Sequence, residues 1–512
     1  MMNGPVDLEN ETFFGRSKML LNAIMLAMFA LGMGIRLFDL TDPPLDFHPT
    51  RQLRSAIIAR SLYYRSQPED LGWQRERAVE QYSVETVIEP LVFESIVAFT
   101  YRLAGSEQLW MARVYASTFW ILGGVALYLL ARVLTNVDGA VLATAYYLFV
   151  PFGITASRSF QPDPLMVMLL LAALWRIFVW QRNPSWGRGV TAGLLAGLAV
   201  FVKAVAIFPI AFGAVGLILV AFGFRKALTN PQVWMIAGLT VLPAVVYHFY
   251  GVFVLGTLGS QFEGRVFPEM WSDPKFYVNW VDTASDLLGF SSILAGLLGA
   301  LLFTAPGARG LGLGLWLGYF AYGMTFNYHI TTHSYYHLPL VAIIAVTLAP
   351  IGANLFRPLV KMKPRWLVQA VVIGLLFSAI FIVVWDVRVS MVQEDYRHEP
   401  AYWRELGEVL GHESAVIGLT HDYGNRLAYY GWITPQIWLP TGHLNYRELK
   451  GKPPIEVQKW FESKSGDMDY FLVTLLNQLN KQPDLKELLY DNFAVFAEGD
   501  GYVIFNLRSP LN

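Results

Sequence analysis

Eleven apolar stretches dominate the chain, at about residues 19–38, 109–131, 136–154, 162–180, 189–205, 206–222, 232–255, 284–305, 311–330, 334–355 and 366–386. Each is close to the roughly 20 residues a helix needs to cross about 30 Å of hydrocarbon. In lipid the backbone polar groups must be satisfied within the segment, so runs of this length admit helices and little else. The chain therefore reads as a polytopic α-helical membrane protein of about eleven transmembrane helices. Its residues are 54% hydrophobic and only 15% charged, where soluble domains carry about a quarter charged residues. A formal net charge of −1 lacks the basic excess of a nucleic-acid binder, so no nucleic-acid partner is expected. Cysteine is absent, which excludes a disulfide framework, a thiolate metal site and a cysteine nucleophile. The run Met19–Phe38 is long enough to span, and no small-residue cleavage site follows it. It is read as a retained helix, not a signal peptide.

Residues 189–222 admit one long tilted helix or two short ones meeting at Lys203. Two short helices keep the loop charges in line with the positive-inside rule. With the N-terminus cytoplasmic, the inner loops then hold Arg132, Arg182, Arg188, Arg225, Lys226, Arg309, Arg357, Lys361, Lys363 and Arg365. The short outer loops hold chiefly Arg158, Arg265 and Lys275. The expectation is a multi-pass protein of the plasma (inner) membrane. Its transmembrane domain covers residues 1–392 and includes a long first outer loop, 39–108. From 393 to 512 helix-like runs (401–410, 455–463) alternate with short apolar runs (415–419, 470–475, 493–497, 502–506), which predicts a small extracytoplasmic α/β domain. The stretch 87–103 is interrupted by Glu89, Pro90 and Glu94 and reads as an interfacial helix. The alternating glycines Gly310, Gly312 and Gly314 read as close helix packing.

The polar residues are more informative. The stretch Leu45–Tyr64 opens with Asp46 and His48 beside two prolines and continues as a helix-like run carrying Arg51, Gln52, Arg54 and Arg60. An acid beside several guanidinium groups at a membrane face suits an anionic lipid headgroup. Asp46, His48, Glu89, Arg158, Asp163, Lys203, His329, His333 and His337 all fall near the outer ends of predicted helices. Asp163 follows Pro162 at a helix start, where an acid also serves as a simple cap. Arg158 and Lys203 either snorkel to the interface or hold a phosphate. Between His329 and Pro339 lie three histidines and the pair Tyr335–Tyr336. Interfacial aromatic belts contain such residues. On a helix His333 and His337 would share a face, a spacing that also suits a divalent metal completed by Asp46 or Asp163. No other cofactor is indicated.

Several of these stretches, in order, resemble the GT-C superfamily of membrane glycosyltransferases, in particular the protein-mannosyltransferase-like (GT39) and aminoarabinose-transferase-like enzymes. They are Asp46-x-x-x-x-Arg51-Gln52 with Ala56-Ile-Ile-Ala-Arg60; Glu89-Pro90-Leu91; Ser106-Glu-Gln-Leu-Trp-Met-Ala-Arg113; Ser157-Arg-Ser-Phe-Gln-Pro-Asp163; Gly197-Leu-Ala-Val-Phe-Val-Lys203; and His333-Ser-Tyr-Tyr-His-Leu-Pro339. The resemblance covers about residues 20–350 and implies sugar transfer from a polyprenyl-phosphate-linked donor on the outer membrane face. The acceptor, whether protein, lipid or polysaccharide, is not specified. Asp46 matches the family's first-loop acid, a general base or acceptor-orienting group. Many relatives carry an Asp-Glu pair there, whereas here Phe47 follows. The bottom-up chemistry runs the same way: an oxocarbenium-like transfer needs a base for the acceptor hydroxyl and cations for the departing phosphate. Arg51, Arg158 and Lys203 are the expected phosphate clamp. His48, His333, Tyr335 and Tyr336 are expected to line the donor pocket, with Gln52, Glu89, Asp163 and His337 as further candidates. The competing reading is a transporter or flippase of an anionic lipid-linked substrate.

Overall fold

The computed structural model describes residues 12–68, 72–85, 87, 89–256, 258–259 and 265–511. Two compact units account for the chain: Met1–Leu40, Thr86–Phe93 and Trp110–Glu394 in the first, and Thr41–Glu85, Glu94–Leu109 and Asp395–Asn512 in the second.

The first unit is helical, and every predicted apolar stretch falls on helix. Among the described residues seven helical segments are long and apolar enough to cross a membrane: Lys18–Leu37, Trp110–Leu134, Asp163–Arg182, Ala204–Phe222, Pro231–Val254, Ser334–Lys361 and Arg365–Gln393. Val137–Phe149 and Trp186–Val202 are shorter apolar helices, and Pro306–Thr325 adds a further 20 residues. This is a multi-pass membrane protein. The expected span 284–305 needs correction. Helix Pro274–Leu288 ends at Gly289, and Phe290–Leu302 leaves at 98° to it. Gly289 has φ +79°, a left-handed conformation that glycine adopts without a Cβ clash. The stretch 136–154 also breaks, because Val137–Phe149 stops before Pro151, which starts the short helix Pro151–Ala156. The junction at Lys203 lies where two short helices require it: Trp186–Val202 ends there, Lys203 is extended (φ −153°, ψ 115°), and Ile207–Phe222 follows a single tight turn.

The glycines of Pro306–Thr325 permit close packing on Ile207–Phe222. A Cβ on Gly310 would run into the Gly216 carbonyl, and one on Gly314 into that of Phe212. Overpacking such a contact typically costs about 1–3 kcal/mol. Gly314→Leu is therefore expected to lower the unfolding midpoint sharply in detergent. Gly238→Ala, with nothing within 4 Å of its Cβ position, is expected to leave it unchanged. Equal midpoints for the two variants would contradict this packing. Elsewhere in the unit Asp138 accepts hydrogen bonds from the amides of Phe13 and Phe14, each 2.8 Å.

The second unit joins the first-loop helices Pro49–Tyr64 and Trp73–Val84 to the C-terminal segment. Its sheet has five strands, β1 (Val416–Leu419), β2 (Gln436–Ile437), β3 (Tyr470–Val473), β4 (Phe493–Gly499) and β5 (Tyr502–Pro510), in the order β2-β1-β3-β5-β4. β1 runs parallel to β2 and β3, and β5 antiparallel to β3 and β4. β1 and β3 are buried along their length, as central parallel strands covered on both faces are. Ile417, Phe471 and Phe505 pack in one core with Trp438 and Phe461, while Val416, Leu472 and Ile504 pack in another with Trp403 and Leu406. This is the expected α/β arrangement.

The C-terminal segment also grips the first-loop helices. Arg60 donates to the Tyr429 carbonyl (2.7 Å) and Gln81 to that of Ala428 (2.7 Å). Arg60 pairs with Glu107 at 3.0 Å, and its guanidinium lies 3.8 Å from the Tyr429 ring and 4.1 Å from the Trp432 ring. Burial lowers the pKa of Arg60, but Glu107 and Tyr429 more than reverse this and the net shift is upward.

His421, with Nδ1 2.9 Å from Thr474 Oγ1, has its pKa lowered by burial and then by Arg426. The unfolded chain thus binds protons more readily at this residue. Its contribution to stability is complete above the unfolded value near 6.5 and is lost as pH falls towards the folded value. His421→Gln is expected to flatten part of the decline in unfolding midpoint between about pH 7 and 5. An unchanged pH profile would contradict this.

Candidate functional site

The expected site residues fall into two clusters, one in each unit. In the first unit the break after Val202 frees Lys203 from helical geometry. Its Nζ donates to both oxygens of Asp163, each at 2.8 Å. Asp163 is the first residue of helix Asp163–Arg182, so its carboxylate sits at the positive end of that helix dipole as well. Both side chains are almost wholly buried, at 8% and 2% exposure. Lys203 therefore does not snorkel, and Asp163 is more than a cap. The Lys203 ammonium faces aromatic rings, 4.9 Å from the centroid of Tyr335 and 6.0 Å from that of Tyr336. His333 lies 5.6 Å from Tyr335 and 6.1 Å from Tyr336, and His329 stacks on Tyr336 at 5.4 Å. Tyr322 stacks on the same ring at 5.7 Å. Tyr335 and Tyr336 are buried, so they form a packed cluster around a buried ion pair, not an interfacial belt.

His337 departs from expectation. Residues 334–337 form a tight 3-10 turn, so His333 and His337 do not sit four apart on an α-helix face. The His337 ring is fully buried, with Nδ1 2.8 Å from Tyr319 Oη and Nε2 2.8 Å from the Ile330 carbonyl. Both ring nitrogens are engaged in holding the fold. The described residues contain no group of three or more His, Cys, Asp or Glu side chains placed to share a metal ion.

Arg158 is also buried and does not reach headgroups. It donates to the Asp39 carbonyl at 3.0 Å, and another terminal nitrogen lies 2.8 Å from the Met391 sulfur. Arg113 donates to the Asp39 and Leu40 carbonyls at 3.3 Å. Two guanidiniums thus fix the chain as it leaves the first transmembrane helix, where Asp39 is left-handed (φ 52°). Glu89 is partly buried in the short stretch 86–93 of this unit.

In the second unit Asp46 is partly exposed. Gln52 donates to its carboxylate at 3.3 Å and to the Phe47 carbonyl at 2.7 Å, so one amide orients the whole turn. His48 caps helix Pro49–Tyr64 in a left-handed conformation (φ 47°), its ring 4.7 Å from Phe47. Such a conformation in a non-glycine residue costs energy and clusters at functional sites. Arg51 lies in the first turn of this helix. Two further arginines of this helix pair with acids, Arg54 with Glu85 at 3.3 Å and Arg60 with Glu107 at 3.0 Å. Glu85 has its pKa raised by burial, partly offset by Arg54.

Other contributors to these two clusters were not visible in the sequence. Thr50 contacts Asp422 at 3.3 Å; Asp422 pairs with Arg426 at 2.5 Å, and Arg426 with Glu399 at 3.0 Å. Asp422 and Tyr423 are both left-handed (φ 51° and 55°), so a strained turn supports the helix behind Asp46. Ser55 donates to buried Glu94 at 2.8 Å. In the first unit Gln161 is 1% exposed, and neither polar atom of its amide has a partner among the described residues. Its position two residues before Asp163, in an Arg-Ser-Phe-Gln-Pro-Asp turn, was the available signal.

The fold is the GT-C fold that the sequence resemblance implies. More particularly, the chain is similar to ArnT from Cupriavidus metallidurans bound to undecaprenyl phosphate, with TM-score 0.60 and 13% identity over 94% of this chain and 97% of that one. It is also similar to the archaeal oligosaccharyltransferase AglB from Archaeoglobus fulgidus in complex with an inhibitory peptide and a dolichol-phosphate, with TM-score 0.53 and 11% identity over 95% and 75% of the two chains. The profile of the dolichyl-phosphate-mannose-protein mannosyltransferase family matches residues 88–250. No curated protein matches the sequence.

Proposed function

We propose that this protein is a membrane glycosyltransferase that moves a sugar from a polyprenyl-phosphate donor to an acceptor at the outer face of the membrane. The observation that carries this reading is the likeness along nearly the whole of both chains to ArnT, a structure holding undecaprenyl phosphate. Dolichol-phosphate in the AglB complex points to the same class of carrier. The N-terminus then lies in the cytoplasm and the C-terminal segment outside.

In this reading Asp46 takes the proton of the acceptor hydroxyl as its oxygen attacks the anomeric carbon. The bond from that carbon to the phosphate oxygen breaks, and the lipid phosphate leaves with both electrons of the bond. Gln52 keeps the Asp46 carboxylate oriented. In the first unit Lys203 is the cation for the departing phosphate, with Tyr335 and Tyr336 beside it and His333 next to them; in the second unit His48 and Arg51 stand at the start of the helix that follows Asp46. Asp163 holds Lys203 in place until the donor arrives. A single displacement inverts the anomeric centre. One feature favours transfer over transport: an acid oriented by Gln52, which a carrier of an anionic lipid does not need.

The test is mass spectrometry of purified protein in nanodiscs with a panel of polyprenyl-phosphate hexoses and pentoses. Conversion of one donor to the unglycosylated polyprenyl phosphate is expected, with its sugar on water or an added acceptor. A folded protein that consumes none would overturn the reading.

A further inference from the structure

Within the second unit a surface cavity of about 490 Å³ is lined by Trp73, Glu76, Arg77, Glu80, His412 and Glu413. Its volume falls in the roughly 300–1,000 Å³ range of small-molecule sites. Trp73 is 43% exposed, where an indole is usually highly buried. The ring is nonetheless held firmly. His412 stacks on it at 4.4 Å and 16°, and Trp432 meets it edge-on at 5.6 Å. His412 is oriented in turn, its Nδ1 3.2 Å from the Gly431 carbonyl. Trp432 is clamped by the Arg60 guanidinium at 4.1 Å, and Arg60 by Glu107 at 3.0 Å. Trp432 is also left-handed, with φ 60°, a strained conformation for a bulky residue that persists only where the surroundings enforce it. A buried ion pair and a strained backbone thus hold an exposed indole beside an open cavity.

Around that indole stand three carboxylates and one guanidinium. Glu76, Glu80 and Glu413 are exposed, and Arg77 pairs with Glu80 at 2.6 Å. Carboxylates accept hydrogen bonds and guanidinium donates them, while a flat aromatic surface accepts the C–H face of a ring. A pyranose offers both, an apolar C–H face and a rim of hydroxyls. The excess of carboxylates repels phosphate and uronate. We infer that this cavity is a carbohydrate-binding subsite for neutral sugar rings, with Trp73 as the platform and Glu76, Glu80 and Glu413 as hydroxyl acceptors. The further assignment that the bound sugar belongs to the acceptor, which would then be a glycan, rests on the glycosyltransferase reading.

Saturation-transfer-difference NMR tests this on the full chain in sugar-free nanodiscs. The probes are neutral oligosaccharides of glucose, mannose, galactose and N-acetylglucosamine, with a lysine-rich peptide in a separate arm. At least one oligosaccharide should show saturation at its ring protons, and its Kd should rise about tenfold in Trp73→Ala, the equivalent of one lost ring contact. Glu413→Gln, on an exposed side chain, should weaken the same ligand with an unchanged unfolding midpoint. No binding by any oligosaccharide, binding indifferent to both variants, or binding of the peptide alone would overturn the proposal. Binding is read without donor, so the two readings fail separately. Donor turnover without Trp73-dependent sugar binding removes the subsite. Sugar binding without donor turnover removes the glycosyltransferase and leaves the subsite.

Discussion

Lys203→Met is expected to destabilise the membrane unit by about 3–5 kcal/mol, the usual result of removing one member of a buried, hydrogen-bonded ion pair. The cost comes from stranding Asp163, which is 2% exposed and takes both of its short bonds from this ammonium. Asp163→Asn should cost a comparable amount. The double variant Lys203→Met, Asp163→Leu should recover much of the loss, because an apolar pair of similar volume leaves no buried charge. The coupling between the two sites is read from a double-mutant cycle of unfolding midpoints in detergent. A lysine that merely reached the interface would give a cost below about 1 kcal/mol and no coupling. The functional consequence is separable. If Lys203 also receives the donor phosphate, Lys203→Arg retains the charge and fold, while altered head-group geometry raises the KM for donor.

The second large effect is on turnover. Asp46→Asn preserves shape and removes the base, and is expected to lower kcat by about 10²–10⁴, the usual contribution of general acid–base catalysis. Donor binding and the unfolding midpoint should be nearly unchanged, since Asp46 is partly exposed. Gln52→Leu should give a smaller loss of kcat, because Gln52 orients the carboxylate through a 3.3 Å contact and does not take the proton itself. The hydroxyl must lose its proton whichever sugar is carried, so the Asp46 effect should hold across acceptors. Wild-type kcat in Asp46→Asn would remove this residue from the mechanism.

Apolar length and spacing made the helices legible. They also located the junction at Lys203, because loop charges on both sides require a change of direction there. Gly310 and Gly314 were legible for a similar reason, since glycines at such spacing on an apolar helix have little use except close approach. The sharp turn at Gly289 was not. An amphipathic helix and an apolar one follow each other with a single glycine between, and hydropathy averages across the bend. Asp163 and Lys203 were each legible as costly residues, but their pairing spans 40 positions and left capping and snorkelling open for each. Least visible was the grip of the C-terminal segment on the first-loop helices, since Arg60 and Tyr429 lie 369 positions apart and neither has an unusual local context. The spacing of His333 and His337 did not give a shared helix face, because residues 334–337 form a tight 3-10 turn ahead of Pro339.

The proposed activity breaks the bond between the anomeric carbon and the lipid phosphate and makes one to the acceptor oxygen. The most direct test reconstitutes the protein in proteoliposomes with a polyprenyl-phosphate sugar labelled in the anomeric carbon. After incubation the label is followed both by chemical form and by leaflet. The account predicts that label leaves the lipid and appears on water or acceptor, with inversion at the anomeric carbon and stoichiometric free polyprenyl phosphate. Label that crosses the bilayer still attached to its lipid, with no phosphate released, would contradict it and establish a transporter.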